Sequence, residues 1–527
     1  EMKERIRDAI EKKLAECPGD EHLLLQATLI HSARITTIHS FCLSVIKEHF
    51  HTIELDPAFR VGEEGELKLL KHDVLGEVLE SHYSEGGKEF LDFVDSYAGG
   101  RDDKKLEELI LNLYEFSRSH PDYRRWLQKC VDNYQPETEQ ELNASEMFQV
   151  IRRNVRRYME DAMRLAEQGL AVCREADGPY MYEEALMNDK QIIQRYLEAE
   201  GYTDYYLAAE KTEWMRLAAN RSKTASEEKA SFVKRIREEL KDIVKDVKEQ
   251  YFTQDVENVL EDLRLCRPMM EILALLVDEF SEAFEGKKKS QNMIDFDDME
   301  QYALRILTEK DEKGNLVPSK AAAEYQEQFR EIMIDEYQDS NLIQEAILTS
   351  VSGISRGRYN IFMVGDVKQS TYRFRLSRPE LFMEKFDTYD REDGKKQRID
   401  LHKNFRSRSE VLDSVNFLFE QLMTKPLGGI TYDEKAALYV GADYETSAEN
   451  ETEVLLVDAE MEHAEARAVA RRVKDLMCTK QVTDKKTGVL RPVKYSDIVI
   501  LTRSMKGWGD VFASVLTEEG IPVYAGS

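Results

Sequence analysis

The 527-residue chain has only six cysteines, scattered singly, and no two of them form a C-x-x-C pair. That excludes a legible zinc-ligand pattern or disulfide framework, and reduced thiols in the cytoplasm are the expected state. No apolar run approaches the roughly 20 residues that cross a bilayer, so no membrane-spanning helix is expected. The opening residues, EMKERIRDAI, do not resemble a signal peptide. Basic residues are outnumbered, 74 against 102 acidic ones, for a net charge of −28. This balance argues against indiscriminate coating of nucleic acid. A local basic groove stays open, because phosphate contacts are a local matter. Glycine and proline are sparse between residues 63 and 290, as a long helical block requires. No fixed-period repeat is present.

What the chain does have is charge and length. Hydrophobic residues make up 42% and charged residues 33%, the composition of a charge-rich globular protein. Its length predicts about two to four domains. Residues 1–50 read as helix, strand (ARITTIHSF) and helix (CLSVIKEHF). In ELKLLKHDVLGEVLESHY, Leu67, Leu70, Val74, Val78 and Leu79 recur at helical spacing. Leu106, Leu109, Ile110, Leu113 and Tyr114 do the same in DKKLEELILNLYEF, and each set marks one buried face. After residue 290 the texture changes. REIMIDEYQD and YNIFMVGDVKQS each carry a short apolar run ending in an acidic or Gly-Asp turn, the pattern of parallel strands in an α/β layer. ETEVLLVDAE, the helix AEARAVARRVKDLM and YSDIVILTRS predict a second strand–helix–strand set, with KQVTDKKTGVLRP as a polar hairpin or loop.

Three stretches carry chemistry. In open α/β sheets ligands sit beyond the carboxyl ends of the strands, where IMIDEYQDSN places Asp335 and Glu336. Paired acids there suit nucleotide hydrolysis: one holds Mg²⁺ on the phosphates, the next positions and deprotonates water. The plain alternative is a strand running into a solvated acidic turn. IFMVGDVKQSTYRFR offers Gln369 for phosphate or water, then Tyr372, Arg373, Phe374 and Arg375. Aromatics interleaved with arginines suit single-stranded nucleic acid, each stacked base being worth roughly 1–3 kcal/mol. A buried Tyr/Phe pair beside exposed arginines is the alternative. In LHKNFRSRSEVLD, Phe405 precedes Arg406 at an apparent helix start, so the ring can stack on a base and the guanidinium can meet γ-phosphate charge. A basic first turn is the alternative, although helix N-termini disfavour cations. Elsewhere, Arg152, Arg153, Arg156 and Arg157 form one basic helix face, suited to duplex DNA or to plain solvation. DFDDME reads as a helix cap.

TTIHSF, DEYQDSN, GDVKQSTYRFR and NFRSRSEVL occur in the order found in the UvrD/Rep superfamily-1 DNA helicases, which the chain resembles. Within that family it looks most like the motor subunits of bacterial AddAB-type helicase–nucleases. YEFSRSHPDYRRWL, YRFRLSRPELF and GGITYDEKAALYVGADY carry that closer likeness. Leu376 and Ser377, where the wider family has Gly-Ala after "FR", also favour that branch. The resemblance implies an α/β fold of RecA-like P-loop NTPase lobes with a large all-helical insertion. Residues 1–55 and 291–388 would form the first lobe, 56–290 the insertion and 389–527 the start of the second lobe. It implies ATP and Mg²⁺ as cofactors, with Asp335 as the metal-holding acid, Glu336 as general base, Gln338 as the glutamine of that motif and Gln369 as γ-phosphate sensor. Phe405 falls where the family stacks an aromatic on adenine, and Arg406 where it places an arginine finger. Thr37, His39, Ser40, Tyr372, Phe374 and Arg375 fall on positions that grip single-stranded DNA; for His39 a satisfied buried histidine at a strand end is the alternative. The implied activity is 3′–5′ translocation in the processing of double-strand DNA breaks, with an AddB (RexB) partner and cytoplasmic location.

One departure matters. No G-x-x-x-x-G-K-[ST] phosphate loop occurs; GGKEF and EGKKKS are lookalikes without its spacing. EMKERI resembles the helix after the family's first single-strand-contact motif, so the phosphate loop is expected upstream of Glu1. The late helicase motifs and an exonuclease domain are expected beyond Ser527. Without the loop's lysine and amides the β/γ-phosphates lose their main cradle, so residues 1–527 alone are expected to be inactive. Two rivals stand beside this reading: a stand-alone UvrD-like repair helicase, and a DNA-binding scaffold without turnover. A dead site has no physical need to keep Asp335, Glu336, Gln369 and Arg406 together.

Overall fold

The computed structural model describes residues 2–98, 102–220, 224–371, 376–444, 452–458, 463–484 and 487–524. The chain divides into two compact units, Glu1–Ile399 and Asp400–Ser527.

The first unit begins with helices Met2–Glu16, Glu21–Leu29 and Ile38–His49. The strand expected over ARITTIHSF does not form: residues 33–37 lie in no strand, and the helix begins inside the motif at Ile38. Its β-branched pair favours a strand, but Thr37 accepts the Ser40 backbone N–H through its side chain and caps the helix instead. Phe41, Cys42, Val45 and Ile46 then repeat at helical spacing and are buried. Burial pushes the Cys42 thiol up to about 12, aided by the nearby Glu300 charge.

From Glu64 to Ser290 the described residues form helices, one short 3₁₀ turn and connecting loops, with no strand among them. The predicted faces are the buried ones: Leu70, Val74, Leu79, Leu106, Ile110 and Tyr114 lie in one core, with Leu67, Val78, Leu109 and Leu113 packed against it. Helix Val256–Ser290 closes that core. A second helical core gathers around Glu146–Cys173, where Arg237 makes a bidentate pair with the fully buried Asp189 and also donates to the Met215 carbonyl.

Past residue 290 short strands appear. Ile332–Ile334 and Ile361–Met363 pair in parallel, Ile332 opposite Ile361 and Ile334 opposite Met363. Arg60–Val61 pairs in parallel with Met293–Ile294, and Thr308–Lys310 with Leu316–Pro318 makes an antiparallel hairpin that the sequence pattern did not signal. Helices Ile38–His49, Phe296–Leu307 and Leu342–Val351 pack into one core with Ile332 against it.

The helical block meets the Phe296–Leu307 helix through buried charge. Asp295 caps that helix, reciprocated by Asp298, as expected of DFDDME. Lys288, 1% exposed, lies 2.6 Å from Asp295 and 2.5 Å from Asp298, and Arg118 lies 3.3 Å from Asp298. Breaking such a pair is costly because it strands a charge in a low-dielectric interior.

In the second unit Lys403–Asn404 pairs in parallel with Tyr439–Val440. The expected hairpin forms between Gln481–Thr483 and Leu490–Pro492, and the expected helix spans Ala464–Thr479. The flanking strands do not form. Residues 452–458 lie in no strand, and Tyr495–Asp497 is a 3₁₀ turn followed by non-strand backbone. A strand exists through its ladder, and these apolar segments have no ladder partner among the described residues; Leu456 is 93% and Leu501 86% exposed. The architecture is helix-rich α/β with small parallel sheets.

Burial alone would raise the Glu285 carboxyl, but Arg305 holds both its oxygens, at 2.7 and 3.0 Å, with Lys289 at 3.2 Å, and it falls to about 2. The lowered folded value means that this stabilisation is complete above the ordinary 4.5 and is lost as pH falls toward about 2. We therefore expect Glu285→Gln to lower the urea midpoint of the first unit clearly at about pH 7 and much less at about pH 3. A difference independent of pH would contradict this.

Candidate functional site

Because Ile332–Ile334 and Ile361–Met363 are parallel, both release their chains at the same sheet edge. The first release is a tight turn. Asp335 is exposed and accepts the Glu336 N–H on Oδ1 at 3.1 Å. Glu336 is exposed too and adopts left-handed backbone geometry, φ 51°. For a non-glycine residue this costs roughly 1–3 kcal/mol and needs support from its surroundings.

That support is visible in the next residues. The Tyr337 N–H donates to the Val364 carbonyl at 2.9 Å, tying the turn to the neighbouring strand's end. Its ring is fully buried, and its hydroxyl donates to Glu345, which Lys385 also holds at 2.8 Å. Burial and the Glu345 charge push the Tyr337 phenol far above its ordinary range. Gln338 is fully buried. Its Nε2 donates to Glu336 Oε2 at 2.7 Å, and its Oε1 accepts the Asp366 N–H at 3.0 Å. Asp366 Oδ2 in turn accepts from Gln369 Nε2 at 3.0 Å. A Cβ on Gly365 would stand 2.6 Å from Gln338 Oε1, so only glycine lets the loops approach.

Glu336, Gln338 and Gln369 therefore share one hydrogen-bonded chain through Asp366, with Asp335 adjacent. Asp366 was missed as a joint. Its signal was present in the Gly-Asp turn ending the second strand, but which carboxylate meets which amide is a tertiary matter.

A second group lies on the first turn of Ile38–His49. Thr37 and Ser40 are exposed, with their hydroxyls 3.0 Å apart. His39 is partly exposed on a helix rather than buried at a strand end; its ring meets Phe296 edge-on and its Nε2 lies 3.3 Å from Glu300 Oε1. Tyr372, Phe374 and Arg375 lie outside the described residues.

In the second unit, Phe405 is exposed, its ring so close to Gly441 that a Cβ there would stand 2.8 Å away. Arg406 is exposed but does not start a helix, which begins at Ser409. Asn404 Oδ1 accepts the N–H groups of Arg406 and Ser407 at 2.9 and 2.8 Å, and this side-chain turn competes with helix formation. Of the glycine-lysine lookalikes, Gly86 ends a helix and Gly286 lies within Val256–Ser290. Along the basic helix face, Arg156 pairs with Glu160 at 3.2 Å and Arg157 lies over the Tyr158 ring.

Residues 1–390 of the 527 match the UvrD/REP helicase N-terminal domain. The chain belongs to the UvrD/Rep helicase family. It is also 43% identical, over its whole length, to the ATP-dependent helicase/nuclease A-subunit of Lachnoclostridium phytofermentans, covering 42% of that protein. The corresponding A-subunits of Alkaliphilus oremlandii and Bacillus velezensis are each 39% identical over the whole chain, which covers 44% of each. The chain thus spans under half the length of these curated relatives, and its likeness to them runs along its entire length.

ATP and Mg²⁺ are what a UvrD/Rep helicase implies. Among the described residues no group of three or more His, Cys, Asp or Glu could cage a metal ion. Exposed Asp335 still fits Mg²⁺, which takes one or two carboxylates and draws its other oxygens from water and phosphates. Gln338 bridges the two loops of this candidate site. Gln338→Leu removes the bonds to the part-buried Asp366 N–H and to the exposed Glu336 carboxylate, where water can take over, so each loss costs the net value of a hydrogen bond, roughly 0.5–1.5 kcal/mol. We expect the unfolding free energy of the first unit to fall by about that amount, measured by urea denaturation; an unchanged midpoint would contradict the bridging role.

Proposed function

We propose that the chain is the motor portion of an AddA-type (RexA) helicase/nuclease protein, an ATP-driven 3′–5′ DNA translocase acting at double-strand breaks in recombinational repair. The observation that carries this reading is the Glu336–Gln338–Asp366–Gln369 chain at the carboxyl edge of a parallel sheet. It is supported by membership of the UvrD/Rep family and by likeness along the whole chain to proteins named as helicase/nuclease A-subunits.

In this reading residues 1–55 and 291–388 belong to a first RecA-like lobe, 56–290 to a helical insertion and 389–527 to the beginning of a second lobe. Asp335 holds Mg²⁺, which neutralises phosphate charge when bound. Glu336 orients a water molecule and accepts its proton as the water oxygen bonds to the γ-phosphorus and the bond to the bridging oxygen of ADP breaks. Gln338 fixes Glu336, and Gln369, tethered to Asp366, senses the γ-phosphate. Phe405 stacks on the adenine and Arg406 is the arginine finger. Thr37, His39 and Ser40 grip single-stranded DNA together with Tyr372, Phe374 and Arg375. The partners are single- and double-stranded DNA and the AddB (RexB) protein. Exonuclease activity belongs to the full-length protein, and the setting is the cytoplasm; no helix among the described residues is long and apolar enough to cross a membrane.

In the full-length protein bound to its AddB-type partner, Glu336→Gln is expected to keep nucleotide binding and lose about 10²–10⁴-fold in DNA-stimulated ATP turnover, the usual contribution of a general base. Near-normal turnover would remove Glu336 from that role. Phe374→Ala is expected to weaken single-strand affinity by roughly 1–3 kcal/mol while sparing basal hydrolysis. Unchanged affinity in a fluorescence titration would count against stacking.

A further inference from the structure

The middle of the Phe296–Leu307 helix carries a glutamate where its neighbours are core. Glu300 is 6% exposed, and Met299 and Ala303 beside it are buried. A carboxylate at such a position is unfavourable unless its oxygens are satisfied. They are satisfied from one direction and approached by a second group from the other. Asn341 Nδ2 donates to Oε2 at 2.9 Å and Gln344 Nε2 to Oε1 at 2.7 Å, both from the segment that follows the DEYQDS turn. From the other side His39 Nε2 stands 3.3 Å from the same Oε1.

These partners are not arbitrary. Asn341 caps helix Leu342–Val351, its Oδ1 accepting the Gln344 N–H at 2.8 Å, so it fixes where the acidic turn ends and the helix begins. Its neighbour Ser340 accepts the Arg378 N–H on its carbonyl at 2.8 Å, just past the YRFRLS stretch. His39 occupies the first turn of the helix capped by Thr37. Glu300 is thus a carboxylate shared between the exit of the nucleotide turn, from which it accepts two hydrogen bonds, and the helix turn bearing Thr37, His39 and Ser40, where His39 stands within ion-pair distance.

We propose that Glu300 is a positioning residue coupling the two sites: a shift of the acidic turn on nucleotide exchange moves Asn341 and Gln344, and the shared carboxylate passes that shift to His39. The proposal rests on the functional reading above. Core packing alone does not call for a charge here, since an apolar side chain would fill the position without desolvation. What the charge adds is a linkage whose geometry matters strongly, because unmaking one of its bonds leaves a buried carboxylate short of a partner.

The test compares wild type, Glu300→Gln and Gln344→Met, each in the full-length protein bound to its AddB-type partner. Glu300→Gln keeps the size of the side chain. Gln344 is only partly buried, so its variant guards against a simple folding failure. Basal ATP turnover, turnover with oligothymidylate, and oligothymidylate affinity with and without a non-hydrolysable ATP analogue are measured, with a thermal melt for each protein. We expect basal turnover to be kept, while the analogue-induced change in oligonucleotide affinity shrinks by about tenfold, within the usual range of coupling between sites. By reciprocity the oligonucleotide's effect on analogue affinity shrinks by the same factor, and stimulation of turnover falls with it. Wild-type coupling in both variants overturns the proposal. So does a loss of basal and stimulated turnover in equal proportion with a lowered melting temperature, the mark of a purely structural residue. Absence of oligothymidylate stimulation in the wild type overturns the functional reading itself, a result distinct from coupling that survives in the variants.

Discussion

Gln338 has no exposed surface, and both ends of its amide are committed: one to the Glu336 carboxylate, the other to the Asp366 backbone. The left-handed backbone at Glu336 persists because this bond, the Tyr337 anchor and the glycine at 365 leave the turn little else to adopt. Strain of that kind is tolerated where the surroundings over-determine it, and it concentrates at working sites. Gln369 reaches the same chain through Asp366. A single buried amide therefore sets the relative placement of two loops, each at the end of a strand only three residues long. Sheet pairing that short cannot fix its loops rigidly; the side-chain bridge does.

Charge plays the corresponding part further back. Lys288, Asp295, Asp298 and Arg118 close the joint between the long helix Val256–Ser290 and the helix that follows it, with Glu285 and Arg305 on its rim. In a chain of net charge −28, the acids in this joint are matched with cations at close range rather than left to solvent. The same Phe296–Leu307 helix then presents Glu300 to the two candidate sites. One helix is thus pinned by ion pairs at its start and carries in its middle a carboxylate that faces both.

Much of this was legible in the sequence. The helical faces around Leu70 and Leu106 appear as read, because burial of one stripe imposes a period that composition cannot hide. The parallel strands ending in Asp335 and Gly365 also appear, as does the Asp295 cap. The failures share a cause. ARITTIHSF looked like a strand because its β-branched residues favour one, yet a threonine cap won. ETEVLLVDAE and DIVIL looked like strands because they are apolar, yet strands need partners and the described residues supply none. Arg406 looked like a helix start until Asn404 captured its backbone N–H.

By itself the sequence determined which chemistries are present: paired acids after an apolar run, glutamines after a second, an aromatic–arginine pair, and their order along the chain. Those depend on residue type and local period, which are properties of the chain alone. Only the tertiary structure decided who holds whom: that Asp366 joins Gln338 to Gln369, and that Glu300 accepts from Asn341 on one side while His39 stands within ion-pair distance on the other. The reason is that a buried polar group must find its partner in space, and nothing in the spacing of residues far apart along the chain records that meeting.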